Sequence, residues 1–218
     1  MRDSRLDLIE LRDVVPAPLA DERTSGEVWR TELTLHRGTF YRIDAASGAG
    51  KSSLCAFLMG TRVDYKGHIL YNNKDISAFG VREWCRLRER HLAYLPQELG
   101  LFDSLTAMQN VLLKNALTDY HSEAEIRTMF GQLGIDTRAD RLVGTLSVGQ
   151  KQRVALIRSL CQPFDFLILD EPVSHLDAES NLRCAEMVTA EARGREAGVI
   201  TTSVGNPLSL ADVEILKL

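Results

Sequence analysis

A run of β-forming residues, Thr39-Phe40-Tyr41-Arg42-Ile43, leads into the loop Ala45-Ala46-Ser47-Gly48-Ala49-Gly50-Lys51-Ser52 and then a helical stretch from Ser52 to Met59. This unit constrains the chain more than any other segment, because a buried strand passing through a glycine-rich loop into a helix belongs to an α/β sheet. Backbone N–H groups in such a loop converge on one point, where the helix dipole adds positive potential. The spacing fits the phosphate-binding pattern G-x-x-x-x-G-K-[ST], with Ala45 at its first glycine. Gly48 and Gly50 let the backbone approach a phosphate with no Cβ in the way. Lys51 has the reach for terminal phosphates, and the Ser52 hydroxyl suits Mg²⁺. Ser47, Ala49 and Ser53 are the remaining candidate contacts. Ala45 fits the pattern only at negative φ. An ordinary glycine-rich turn before a lysine is the competing reading, and the strand and helix on either side weigh against it.

A second segment points the same way. Phe164-Asp165-Phe166-Leu167-Ile168-Leu169-Asp170-Glu171-Pro172 is an apolar run ending in two adjacent carboxylates. It reads as a central parallel strand buried on both faces. Asp170 then emerges at the C-terminal end, where open α/β sheets place their ligands, and is a candidate for holding a metal through water. Glu171 is a candidate to orient or deprotonate an attacking water. Alone, Asp-Glu-Pro would be a solvated turn; the phosphate-loop pattern upstream makes that the minority reading.

Between these segments, Leu146-Ser147-Val148-Gly149-Gln150-Lys151-Gln152-Arg153 resembles the LSGGQ signature of ABC-type ATPases, with Val148 in place of the first signature glycine. Leu95-Pro96-Gln97 resembles that family's Q-loop, and Ser174-His175-Leu176-Asp177 its D-loop. Leu105-Thr106 through Asn110-Val111 resembles the L-T-x-x-E-N-V segment, with Gln109 at the glutamate. The motifs fall in the family's order and the resemblance spans about Leu6 to Leu218. It implies a single domain over 1–218 with a P-loop NTPase core (1–97 and 146–218): a mostly parallel sheet, antiparallel N-terminal strands and an inserted helical subdomain at about 98–145. It also implies ATP and Mg²⁺ as ligands, with Ser52, Gln97 and Asp170 on the metal and Glu171 and Gln97 in catalysis.

Ser147 is placed to N-cap a helix running toward Cys161 and stopping before Pro163, which makes a second anion-binding helix end with Gly149. The resemblance implies that two copies close as an isologous dimer, the signature of one (Ser147, Gly149, Gln150) and Asp177 meeting ATP on the other. The bland alternative for 147–161 is a well-capped amphipathic helix with Lys151 and Arg153 on a solvated face.

Three departures qualify the mechanism. No aromatic stands in Arg12-Asp13-Val14-Val15-Pro16, where the family stacks adenine, which leaves Val15 and Pro16 as candidate base contacts. Ser203 stands near the place of the family's late histidine and donates a hydrogen bond without a histidine's charge. Val148 adds bulk at the signature. Slow or partner-dependent hydrolysis is expected. His175 reads as a variable position at the dimer face; His36, His68, His91 and His121 carry no pattern.

At 218 residues and 44% apolar, the chain suits one α/β domain, and no run approaches the ~20 apolar residues of a membrane span. The charged start, Met1 to Arg5, lacks a signal-peptide core, and a net charge of −4 argues against nucleic-acid binding. Cys55, Cys85, Cys161 and Cys184 have no metal or redox spacing, and Cys55 and Cys161 fall on core-facing helix positions. Strands are expected at Leu6–Leu11, Glu27–Leu35, Thr39–Ile43, His91–Leu95, Val199–Thr202 and Val213–Lys217, a loop from Val14 to Gly26, and a helix from Ser122 or Glu123 to Leu133. The expected function is the nucleotide-binding subunit of an ABC transporter working with a separate transmembrane permease at the cytoplasmic face of the membrane; general likeness is to the lipoprotein-release and macrolide-export branch. A regulatory ATPase of the cell-division FtsE type is the alternative. The soluble DNA-repair and translation members are disfavoured, because neither a coiled-coil insertion nor a second cassette is present.

Overall fold

The computed structural model describes residues 5–21, 26–46 and 48–218. Ser47 lies outside these. Among the described residues, nine strands form two sheets. Strands β1 (Leu8–Pro16), β2 (Glu32–His36), β4 (Tyr65–Tyr71) and β5 (Lys74–Asp75) make an antiparallel sheet in the order β2-β1-β4-β5. Strands β3 (Phe40–Asp44), β6 (Leu92–Leu95), β7 (Phe166–Asp170), β8 (Gly198–Ser203) and β9 (Val213–Lys217) make a parallel sheet in the order β6-β7-β8-β3-β9. Helices α1 (Lys51–Leu58), α2 (Val81–Arg90), α3 (Ala107–Asn115), α4 (Glu123–Gln132), α5 (Val148–Leu160) and α6 (Ala178–Arg195) connect them. This is the α/β class with antiparallel N-terminal strands expected from the sequence.

Strand β7 organises the core. Its side chains alternate between two apolar clusters: Phe166 and Ile168 join the one holding α1 and the antiparallel sheet, while Leu167 and Leu169 join the one holding α3 to α6. All five residues of β7 are buried, which explains why its sequence is a continuous apolar run. Each such side chain contributes ~1.5–3 kcal/mol on burial. The 98–145 block is less helical than its composition suggests: α3 and α4 are joined to the core by 3-10 turns at Asp136–Arg138 and Val143–Thr145, and their apolar faces share one cluster with α5 and α6.

Two strand boundaries need correction. The strand expected over Glu27–Leu35 begins only at Glu32, because the chain turns at Arg30 (φ 59°), burying Val28 and Trp29. The loop expected from Val14 begins later: β1 runs to Pro16, crossing an irregularity between Arg12 and Val15 where Asp13 has φ 53°. The strand there is held by Val15 and Pro16 pairing with Lys66 and Tyr65 of β4.

The helix starts differ in kind. Helices α3, α4 and α5 each open with a reciprocal capping box: Thr106 with Gln109, Ser122 with Glu125, and Ser147 with Gln150. Helix α1 has Gly50 at its N-cap, at φ 98°, and no side-chain cap.

Candidate nucleotide site

The loop after β3 is shaped by its glycines. Gly48 and Gly50 both have positive φ (83° and 98°), and a Cβ on Gly50 would stand 3.1 Å from the Trp29 ring. Ala45 is not among the described residues with positive φ, as its place in the pattern requires. Lys51 is buried, and its ammonium donates to the carbonyls of Ala45 (2.9 Å) and Ala46 (2.8 Å), so the charge rests against the loop's own backbone. A cavity of about 230 Å³ beside the loop is lined by Gly48, Gly50, Lys51, Ser52, Ser53, Gln97 and Glu171. The fold therefore brings together residues from the β3–α1 loop, the segment after β6 and the end of β7.

Ser52 Oγ lies 3.4 Å from Gln97 Oε1. Asp170 is buried, and its Oδ1 accepts a 2.6 Å hydrogen bond from the Thr202 hydroxyl. Hydroxyl, amide carbonyl and carboxylate are hard oxygen donors, the set that suits Mg²⁺. Among the described residues no group of three or more His, Cys, Asp or Glu side chains has metal-holding geometry. Glu171 has φ 50°, and its N–H donates to Thr202 Oγ1 at 3.1 Å. Left-handed backbone at a non-glycine residue is unfavourable and is kept only where the surroundings enforce it.

Other candidates lie elsewhere. Ser203 is buried at the end of β8 with no hydrogen-bond partner on its Oγ among the described residues, and it does not line the loop cavity. Ala49 is absent from the lining too; its carbonyl accepts the Trp29 indole N–H at 3.1 Å. The signature residues Ser147, Gly149 and Gln150 are outside that lining, and the side chains of Ser147 and Gln150 are engaged in their capping box. Asp177 N-caps α6 through Ser180 N–H (2.8 Å), and the bonds from Ser180 hold its carboxyl below the usual range. Gly149 is where the α5 start meets the Ser174–Asp177 segment: a Cβ there would stand 3.1 Å from Leu176 and 3.3 Å from the His175 carbonyl. Gln152 ties the same two segments, donating to Ser174 Oγ and accepting from His175 N–H.

Val15 and Pro16 do not fit the role of base contacts, because both are buried as the last two residues of β1, paired with β4. Three residues of the site carried no signal in the sequence. Trp29 supports the loop from below. Thr202 donates to the Asp170 carboxylate and accepts from the Glu171 backbone N–H. Arg62 donates to the Ser53 hydroxyl at 2.9 Å, so a second cation stands one hydrogen bond from the cavity lining. Trp29 and Thr202 lie 20 residues from Ala49 and 32 from Asp170, so no local pattern reveals them. The thiols behave as core: burial raises Cys55 well above the ordinary range and pushes Cys161 and Cys184 up to about 12.

A glycine-rich loop feeding a helix N-terminus, with a lysine at that N-terminus and a carboxylate pair at the end of another parallel strand of the same sheet, defines a P-loop nucleotide-binding protein. Residues 29–174 match the family model described as ABC transporter. The chain is 29% identical to the ABC transporter ATP-binding protein YtrE of Bacillus subtilis (strain 168), covering 77% of this chain and 73% of that protein. It is 33% identical to the uncharacterized ABC transporter ATP-binding protein YbbA of Escherichia coli (strain K12), over 83% of this chain and 79% of that one. In fold it is similar to the dimeric structure of MJ0796, a bacterial ABC transporter cassette, with a TM-score of 0.79, 21% identity, and coverage of 96% and 94% of the two chains. The chain belongs to the ABC transporter ATP-binding family. Membership implies an ATP-binding, transport-associated ATPase. Among the described residues, no helix is long and apolar enough to cross a membrane.

Proposed function

We propose that this chain binds and hydrolyses ATP in the cavity beside the 45–52 loop and drives a separate transmembrane permease from the cytoplasmic face of the membrane. The observation that carries the reading is the joint lining of that cavity by Lys51, Ser52, Gln97 and Glu171, a phosphate-binding lysine and a carboxylate base in one site. Loop amides and Lys51 bind the phosphates, Lys51 exchanging its bonds to Ala45 and Ala46 for phosphate oxygens. Ser52, Gln97 and Asp170 would hold Mg²⁺, which would supply charge neutralisation for the phosphates. Glu171 orients a water and accepts its proton. Ser203, outside the cavity lining, keeps a hydroxyl unengaged among the described residues as a donor for the γ-phosphate side once nucleotide is bound.

Two copies close with each signature end against the other's nucleotide. The separation of Ser147, Gly149, Gln150 and Asp177 from the loop cavity within one chain supports this arrangement. The permease docks in a groove of about 400 Å³ lined by residues that include Tyr94, Pro96, Phe102, Leu113, Lys114 and Leu117. In that segment Leu99 and Leu101 pack on the core, while Phe102 is 57% exposed and supplies an anchor. Residues 98–145 act as the docking subdomain, and Gln97 links it to the metal. Steady-state phosphate release tests the reading. Wild type should hydrolyse slowly, and a rate equal to that of a family member with every motif intact would remove the significance given to Val148 and Ser203. Phe102→Ala should weaken the permease complex by ~2 kcal/mol without changing the melting temperature of the isolated subunit; unfolding would make Phe102 core.

A further inference from the structure

The ends of β7 and β8 are direct neighbours, Asp170 pairing with Thr202 in the parallel register. Thr202 is 1% exposed, and its hydroxyl has a donor and two acceptor positions. The donor goes to Asp170 Oδ1 at 2.6 Å, a length typical of a charge-assisted O–H···O⁻ bond. One acceptor position takes the Glu171 N–H at 3.1 Å. The same oxygen thus touches the side chain of one carboxylate residue and the backbone of the next. Glu171 is the residue with φ 50°, so its N–H bond fixes the turn that sends its side chain to the loop cavity. Because Thr202 is β-branched and sits in a strand, its χ1 is stiff and the hydroxyl direction is set by the sheet.

We propose that Thr202 is a positioning residue for ATP hydrolysis, its hydroxyl fixing both the direction of the Asp170 carboxylate and the backbone turn that aims Glu171. The inference rests on the function proposed above. A purely structural role, satisfying a buried carboxylate, makes a different prediction: loss of stability with no change in how magnesium assists nucleotide binding.

Thr202→Val keeps the branched shape and removes both hydrogen bonds; Thr202→Ser keeps both. For each purified variant, ATP affinity is measured with and without Mg²⁺, along with kcat, KM and melting temperature. Partners that orient a metal ligand typically contribute ~10–100-fold to metal affinity or activity. Thr202→Val should therefore lose about 10-fold or more of the affinity gained on adding Mg²⁺ and a similar factor in kcat, with metal-free ATP affinity retained. Thr202→Ser should restore both. If Thr202→Val does not fold, Thr202→Cys, of similar size and a weaker donor, should show the same direction. A variant with wild-type magnesium gain and kcat but a lower melting temperature overturns the inference alone. Failure of the wild type to bind Mg-ATP, in parallel with Lys51→Ala, overturns the reading of the site and the inference with it.

Discussion

The N-termini of α1 and α5 make an instructive pair. Both read from sequence as anion-binding helix ends. In the structure, α5 satisfies its own first turn: Ser147 Oγ accepts the Gln150 N–H and Gln150 Oε1 accepts the Ser147 N–H. Helix α1 opens from a left-handed glycine with no side-chain cap. A helix start leaves N–H groups without intrahelical partners, and whatever lacks a side-chain cap remains open to a ligand. The difference teaches that similar helix ends can be built differently, one closed by its own side chains and one left without a side-chain cap.

The largest test of this contrast is Glu171→Gln. Keeping the shape but removing the base should lower turnover by ~10²–10⁴-fold, and ATP held between two copies should then accumulate as an ATP-dependent dimer by light scattering. Monomer at every ATP concentration would break the paired use of the two ends. Lys51→Ala comes next. It should weaken ATP binding by about 10–100-fold, as loss of a charge-assisted contact implies, and abolish the rise in melting temperature that Mg-ATP gives the wild type. Ser147→Ala is expected to cost ~1 kcal/mol of stability through the lost cap, with ATP affinity of the monomer unchanged. In the Glu171→Gln background it should weaken the dimer; an equal loss of monomer affinity for Lys51→Ala and Ser147→Ala would erase the distinction. The smallest effect concerns Cys55, in the second turn of the uncapped α1. Of the four thiols only Cys85 is exposed, so native protein should label once rapidly, and Mg-ATP should slow the later labelling of Cys55. Equal Cys55 rates with and without nucleotide would show that the open end does not gain rigidity from its ligand.

Much of this site was legible because its signals are local. The loop, the apolar run of β7 and the Ser147 N-cap lie within single short segments, where spacing translates directly into geometry. The rest depends on tertiary neighbours. Val28 and Trp29 look like strand residues, yet the chain turns at Arg30 and buries both, Trp29 under the loop. Val15 and Pro16 looked available because a loop was expected there; the antiparallel sheet buries them instead. Thr202 reads as one more β-branched strand residue, and only the β7–β8 register makes it a partner of Asp170.

Trp29 has an optical consequence. It is one of two tryptophans in the chain. The other, Trp84, packs among Tyr71 and Phe79. An indole whose N–H is bonded to the Ala49 carbonyl, and whose ring stands where a Cβ on Gly50 would meet it at 3.1 Å, places a chromophore against the 45–52 loop. Its emission maximum and quenching constant give the chain an intrinsic, label-free meter of loop occupancy, with Trp84→Phe isolating the signal.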